Sequence, residues 1–276
     1  MPSGEQDWPV FLTGCHRAGT TLVRFLLDSH PRIACPPESK FLCGLYEFAE
    51  YPQVMAALDS LHWQPAEVLA EIGHFARRFL DGYAARQRKA RWVDKTPNYC
   101  RILPFLDDIF QGQVLYLFLV RHPLDTICSL QEFFRLAGTG FSDPDIARAV
   151  ERYGAGYRCW ARHWCDVYEA IDVFAAARPE RSHIFHYEDL VRRPRETVGE
   201  LFTFLGEEYE EDLLARAFHT PHDVGYEDPK IRQTCQIHAS SVGRWKGWDR
   251  GLSESLWRVV EPAAVRFGYS LEAEGG

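Results

Sequence analysis

Between a short apolar run and a helical pattern near the N-terminus stand Gly14-Cys15-His16-Arg17-Ala18-Gly19-Thr20-Thr21, residue types suited to holding an anion. At a strand-to-helix turn the first helical N–H groups lack intrahelical partners and the helix dipole is positive, so such a loop attracts phosphate. The spacing matches G-x-x-x-x-G-K-[ST], except that Thr20 stands where a lysine would meet a β- or γ-phosphate, which disfavours kinase chemistry. The cation lies inside the loop instead, at Arg17, whose fork of donors can embrace a different phosphate-linked group. The bland alternative is a glycine-bearing βα turn without a ligand.

A second anion signal is Arg121-His122-Pro123, which closes the apolar run Val114 to Val120, with Ser129 eight positions past the arginine. In an open parallel sheet, ligands bind outside the carboxyl ends of the strands, where an arginine and a hydroxyl can clamp a phosphate. The alternative for Arg121 is an ion pair with Asp125. No aspartate closes this strand to hold Mg²⁺, so the site reads as metal-free. Cys159 and Cys165 lack C-x-x-C spacing, and His183/His186 and His219/His222 lack companion ligands, so these residues read as structural and no metal is expected.

Positioning such loops takes strands that end where helices begin. Trp8 to Thr13 reads as a strand, and Leu22, Phe25, Leu26 and Ser29 fall at helical spacing until His30-Pro31. Residues 40 to 90 read mainly as helix broken at Pro52 and Pro65, and Arg91 to Lys95 reads as a strand ended by Thr96-Pro97. The run Val114 to Val120 is apolar on both faces, as a central parallel strand requires, and a helix bearing Ile127, Leu130 and Phe134 follows it. A long helix is expected from about Asp145 to Ala177, then a strand Ser182 to Tyr187, then helices near Glu196 to Leu205 and Leu252 to Phe267. The expected fold is α/β: a single domain over 1–276, a parallel β-sheet flanked by helices and P-loop nucleotide-binding-like, with 1–7 and 271–276 as flexible tails.

With 276 residues, 46% apolar and 25% charged, the chain can bury a sizeable core, which excludes a disordered or low-complexity protein. Its longest clean apolar run has seven residues against the ~20 that span a bilayer, and neither a membrane span nor a signal peptide is expected. A net charge of −8 argues against a nucleic-acid partner. Eight scattered cysteines without a secretory signal read as reduced thiols in the cytoplasm.

From about residue 10 to 268 these features resemble the sulfotransferases that use 3′-phosphoadenosine 5′-phosphosulfate (PAPS). The segment Cys15 to Thr21 is similar to that family's P-[KR]-S-G-T-T loop, which implies Arg17, Ala18, Gly19, Thr20 and Thr21 around the 5′-phosphosulfate. Arg121 and Ser129 match its 3′-phosphate clamp. His186-Tyr187-Glu188-Asp189-Leu190 with Phe204-Leu205-Gly206 resembles its Y-E-D-L and F-L-G segment. Val242-Gly243-Arg244-Trp245-Lys246 resembles its late G-x-W-[KR] loop, without the R-K-G run of the cytosolic branch, so the resemblance extends nucleotide contacts to Tyr187, Val242, Gly243 and Arg244.

The segment Ser29-His30-Pro31 to Pro37-Glu38-Ser39 is similar to the tyrosylprotein and carbohydrate sulfotransferases, in which a glutamate after the H-P turn is the base. Glu38 falls on that position, although a lone glutamate is also read simply as a solvated loop carboxylate. Lys95-Thr96-Pro97-Asn98 keeps a family lysine and supplies no histidine, while His16 replaces the loop's usual proline and competes as base. The resemblance implies a metal-independent transfer of a sulfuryl group from PAPS to a hydroxyl of a small-molecule acceptor, leaving adenosine 3′,5′-bisphosphate. Glu38 would deprotonate the acceptor, and Arg17 and Lys95 would stabilise the leaving phosphate. A P-loop ATP or GTP kinase and a non-catalytic nucleotide-binding protein are the rivals. Residues 40–62, 133–145 and 220–236 are the expected acceptor walls, with Phe41, Phe133, Phe134, Phe141 and Tyr226 as their apolar lining.

Overall fold

The computed structural model describes residues 8–137, 143–226, 228, 231 and 234–271. The expected tails, apart from Leu271, and Phe141 lie outside them. The chain runs β1 (Val10–Thr13), α1 (Thr20–Asp28), β2 (Ile33–Ala34), α2 (Phe41–Ala49), α3 (Pro52–Ser60), α4 (Pro65–Arg86), β3 (Arg91–Lys95), α5 (Leu103–Ile109) and β4 (Leu115–Val120). It continues through α6 (Pro123–Ala137), α7 (Pro144–Tyr153), α8 (Tyr157–Ala176), β5 (Ser182–His186), α9 (Tyr187–Arg192), α10 (Pro194–Leu205), α11 (Leu213–Arg216) and α12 (Arg250–Ala264). Together these make a single α/β domain.

All strand pairings are parallel, in the order β2-β3-β1-β4-β5, with Val10 opposite both Val93 and Leu115. From β1 the chain crosses to β3 on one side and later to β4 on the other. The connections therefore reverse direction beside the carboxyl end of β1, where a parallel sheet leaves its ligand crevice.

Strand alternation divides the interior in two. Phe11, Tyr116, Phe118 and Val120 face a core completed by Trp160, Trp164 and Tyr168 of α8. Val10, Leu12, Leu115, Leu117 and Leu119 face the other core, with Leu26 of α1 and Phe202 of α10. Pro52 and Pro65 stand at the first positions of α3 and α4, where a missing N–H costs nothing, so the expected breaks are helix starts.

Two sequence expectations need correction. The helix expected over about 145–177 is two, α7 and α8, because Gly154 turns the backbone to φ 74° and ends α7. The two-residue β2, which pairs with β3, went unpredicted, being too short to display a period. Among the described residues no helix is long and apolar enough to cross a membrane. The eight cysteines stand unpaired.

Candidate active site

The loop between β1 and α1 turns back on itself through an Ala18 N–H bond to the Cys15 carbonyl, 3.0 Å long. Gly19 precedes α1 at φ 107°, and a Cβ there would lie 2.6 Å from the Tyr187 ring, so only glycine allows Tyr187 to close on the loop. Thr20 and Thr21 open α1 and line a cleft of about 830 Å³ beside the carboxyl ends of the strands. Ala18 is buried behind the loop.

Arg17 takes φ 70°, a left-handed conformation uncommon outside glycine, and its side chain extends along the cleft. Its Nε donates to Ser129 Oγ at 3.3 Å, its guanidinium meets Asp228 at 2.9 Å, and it lies over the Phe133 ring. Arg121 leaves the end of β4 buried, stacked over the Tyr187 ring at 4.5 Å, and donates to the carbonyls of Arg17 and Ser241. Its Nε is a buried donor with no partner. The two anion signals therefore form one continuous surface: Arg121 braces the first loop, and Arg17 reaches Ser129 in α6.

The alternative reading of Arg121, an ion pair with Asp125, is not met among the described residues. Asp125 is buried and accepts instead from the N–H groups of Gly243 and Trp245, at 2.7 and 3.4 Å, which pins the late loop onto α6. Val242 packs against a core, and neither it nor Gly243 lines the cleft, so these two shape the loop. Arg244 does line the cleft and donates to Glu132 at 3.0 Å.

At the other end of the cleft, Glu38 Oε1 accepts from Lys95 Nζ at 2.9 Å, and its Oε2 lies 3.3 Å from Lys40 Nζ. Lys95 is fully buried at the end of β3, beneath the carboxylate. Sequence reasoning missed Lys40, Asn98 and Asp143. Asp143 caps α7 through the N–H groups of Asp145 and Ile146 and also accepts from Asn98 and Lys40. Asp143-Pro144 ahead of a helical pattern was the available signal, a helix cap followed by a proline at the first helical position.

His16 also belongs to this end. Its Nε2 lies 3.4 Å from Asp143 Oδ1, and its Nδ1 lies 3.4 Å from Nε2 of the buried His163. Burial alone would lower the His16 imidazole, but Asp143 and the neighbouring carboxylates outweigh it and raise its pKa. Burial opposes ionisation of Asp143 too, yet His16 and Lys40 hold that carboxyl far below the usual range. His163, buried and facing His16, is pushed down to about 3.

Of the expected acceptor lining, Phe133 and Tyr226 face the cleft. Phe41 packs against Phe79 and Phe134 against Trp160, so neither supplies a wall. Among the described residues no group of three His, Cys, Asp or Glu is arranged to hold a metal.

This arrangement sets the loop at the start of α1 and the Glu38 carboxylate on one cleft, and known proteins share the fold around it. The sulfotransferase domain of the Synechococcus PCC 7002 olefin synthase has the same fold, with a TM-score of 0.66 and 24% identity over 98% of each chain. A mouse sulfotransferase complexed with PAP aligns over 96% of this chain and 89% of that one, with a TM-score of 0.53 and 14% identity. The nodulation protein NoeE of Sinorhizobium fredii is 29% identical over 71% of this chain and 49% of its own length. The protein-tyrosine sulfotransferase of Drosophila melanogaster is 23% identical over 94% of this chain and 51% of its own length. The chain thus spans about half the length of these two relatives. The Sulfotransferase family model matches residues 9–211, and the chain belongs to that family.

Proposed function

We propose that this protein transfers a sulfuryl group from PAPS to a hydroxyl of a small-molecule acceptor, with Glu38 as general base. The observation that carries the reading is the cleft that runs from Arg121, Ser129 and the loop at α1 to Glu38, with Lys95 buried beneath that carboxylate. The partnerless buried Nε of Arg121 and the helix start at Thr20 fit an anionic nucleotide with phosphate groups at both ends. The mouse protein's complex with PAP supports the same choice of nucleotide.

In the step itself Glu38 takes the acceptor's hydroxyl proton, and that oxygen's electron pair forms a bond to sulfur. The bond from sulfur to the bridging oxygen breaks, and its electron pair stays on the departing 5′-phosphate. Arg17 and Lys95 stabilise the charge gathering there, while Thr20, Thr21 and the loop N–H groups hold the phosphate. A preorganised donor of this kind is typically worth ~3 to 4 kcal/mol of barrier. Glu38 suits the base role because each of its oxygens meets one lysine, leaving lone pairs for an acceptor, whereas Asp143 is enclosed by donors. Both ring nitrogens of His16 face neighbouring side chains, Asp143 and His163, and so turn away from an acceptor. The eight unpaired thiols support a reducing, cytoplasmic setting.

Glu38→Gln is expected to keep near-normal affinity for adenosine 3′,5′-bisphosphate and to lose at least ~100-fold in turnover, with His16→Gln losing far less. Steady-state rates of PAPS consumption with calorimetric affinities decide it. A dead His16→Gln beside an active Glu38→Gln overturns the assignment.

A further inference from the structure

We propose that Lys40, pinned by Asp143, is a positioning residue that fixes the Glu38 carboxylate in the cleft. This rests on the reading of Glu38 as base and goes beyond it, because neither Lys40 nor Asp143 belongs to any of the sequence motifs that led there. Glu38 stands on a loop, where its own backbone restrains it through one N–H bond, 3.1 Å long, to the Tyr226 carbonyl. Lys95 anchors one carboxylate oxygen from below. The other oxygen is held by Lys40, whose ammonium sits between Glu38 at 3.3 Å and Asp143 at 3.0 Å and over the Tyr226 ring at 5.2 Å.

A lysine on a flexible stem is ordinarily a poor positioning group, because its rotamer freedom must be lost before it can hold anything. Here three constraints remove that freedom. The backbone of Lys40 is in the left-handed region at φ 53°, immediately before α2, so the stem leaves the chain in a fixed direction. Asp143 is itself held by Asn98 and by the first N–H groups of α7. The aromatic face of Tyr226 lies over the ammonium on a further side. The groups charged or titratable around Glu38 are Lys40 and Lys95 in contact, with Asp94 and His16 close enough to act electrostatically. When Glu38 takes up the acceptor's proton and loses its charge, Lys40 keeps Asp143 as a partner.

Because no acceptor is identified, the probe is PAPS with water and a panel of simple alcohols and phenols as acceptors, followed by release of adenosine 3′,5′-bisphosphate. Lys40→Met and Asp143→Asn are each expected to lower kcat about 10- to 100-fold with the KM for PAPS little changed, and Lys40→Arg to restore much of the loss. Calorimetric affinity for adenosine 3′,5′-bisphosphate reports that each variant is folded. The decisive comparison is made in the Glu38→Gln background, where Lys40→Met is expected to cost nothing more. If Lys40→Met slows Glu38→Gln by the same factor as it slows the unaltered protein, or raises KM alone, the positioning role is overturned. If Glu38→Gln itself keeps full turnover, or the unaltered protein releases no product with any acceptor, the underlying reading falls instead.

Discussion

Arg121 shows what a single residue contributes here. Its guanidinium is buried, stacked on Tyr187 and bonded to two carbonyls, yet one donor remains unspent at the cleft. A charge-assisted bond to a 3′-phosphate contributes about 1.5 to 3 kcal/mol. Arg121→Ala is therefore expected to weaken adenosine 3′,5′-bisphosphate binding tenfold or more, at about 1.4 kcal/mol per decade. Affinity for adenosine 5′-phosphosulfate, which lacks that phosphate, is expected to remain nearly unchanged and checks that the loop still stands. Equal calorimetric losses for both ligands contradict the clamp. That Arg121, Ser129 and Glu38 share one cleft was foreshadowed because the family resemblance matched each to a motif position. Asp143, Lys40 and Asn98 were not, because they meet across 45 and 103 positions, which no local pattern records.

Among the elements, β3 joins the site to a buried carboxyl. It delivers Lys95 to Glu38, and the preceding residue, Asp94, is buried with one oxygen accepting from Ser39 and Tyr99 and the other without a partner. Burial pushes Asp94 up to about 6, against those hydrogen bonds and the charge of Lys95. The folded state thus holds this proton more tightly than the unfolded chain, whose carboxyl titrates near its ordinary value. This contribution to stability is present in acid and declines as pH rises from about 4 to about 6, by about 2 to 3 kcal/mol. Urea denaturation of Asp94→Asn beside the unaltered protein is expected to display that decline as a pH-dependent difference between the two, and a constant difference contradicts it. The strand itself was readable from Arg91 to Lys95, but the complete burial of Asp94 was not, since it arises from packing between distant segments. The break at Gly154 escaped because the helical pattern continues on both sides, and the positive backbone angles of Gly154 and Gly156 divide it.

For the molecule as a whole, the alternation of strands and helices was legible because both faces of a parallel sheet must be covered, and the central run from Val114 to Val120 records that requirement directly. The reversal of connections beside β1 then collects residues from the two ends of the chain around one cleft. That cleft distinguishes two chemistries. A phosphoryl-transferring P-loop enzyme takes ATP or GTP with Mg²⁺ and a loop lysine, whereas here Thr20 holds the lysine's place and Arg17, Arg121 and Ser129 offer a path for a different nucleotide. The most direct test follows group transfer in excess EDTA and again with excess Mg²⁺, with PAPS or ATP as donor and the alcohol and phenol panel as acceptors. The account predicts release of adenosine 3′,5′-bisphosphate from PAPS at an undiminished rate and no transfer from ATP. Transfer from ATP that requires added Mg²⁺, with PAPS left intact, would contradict it.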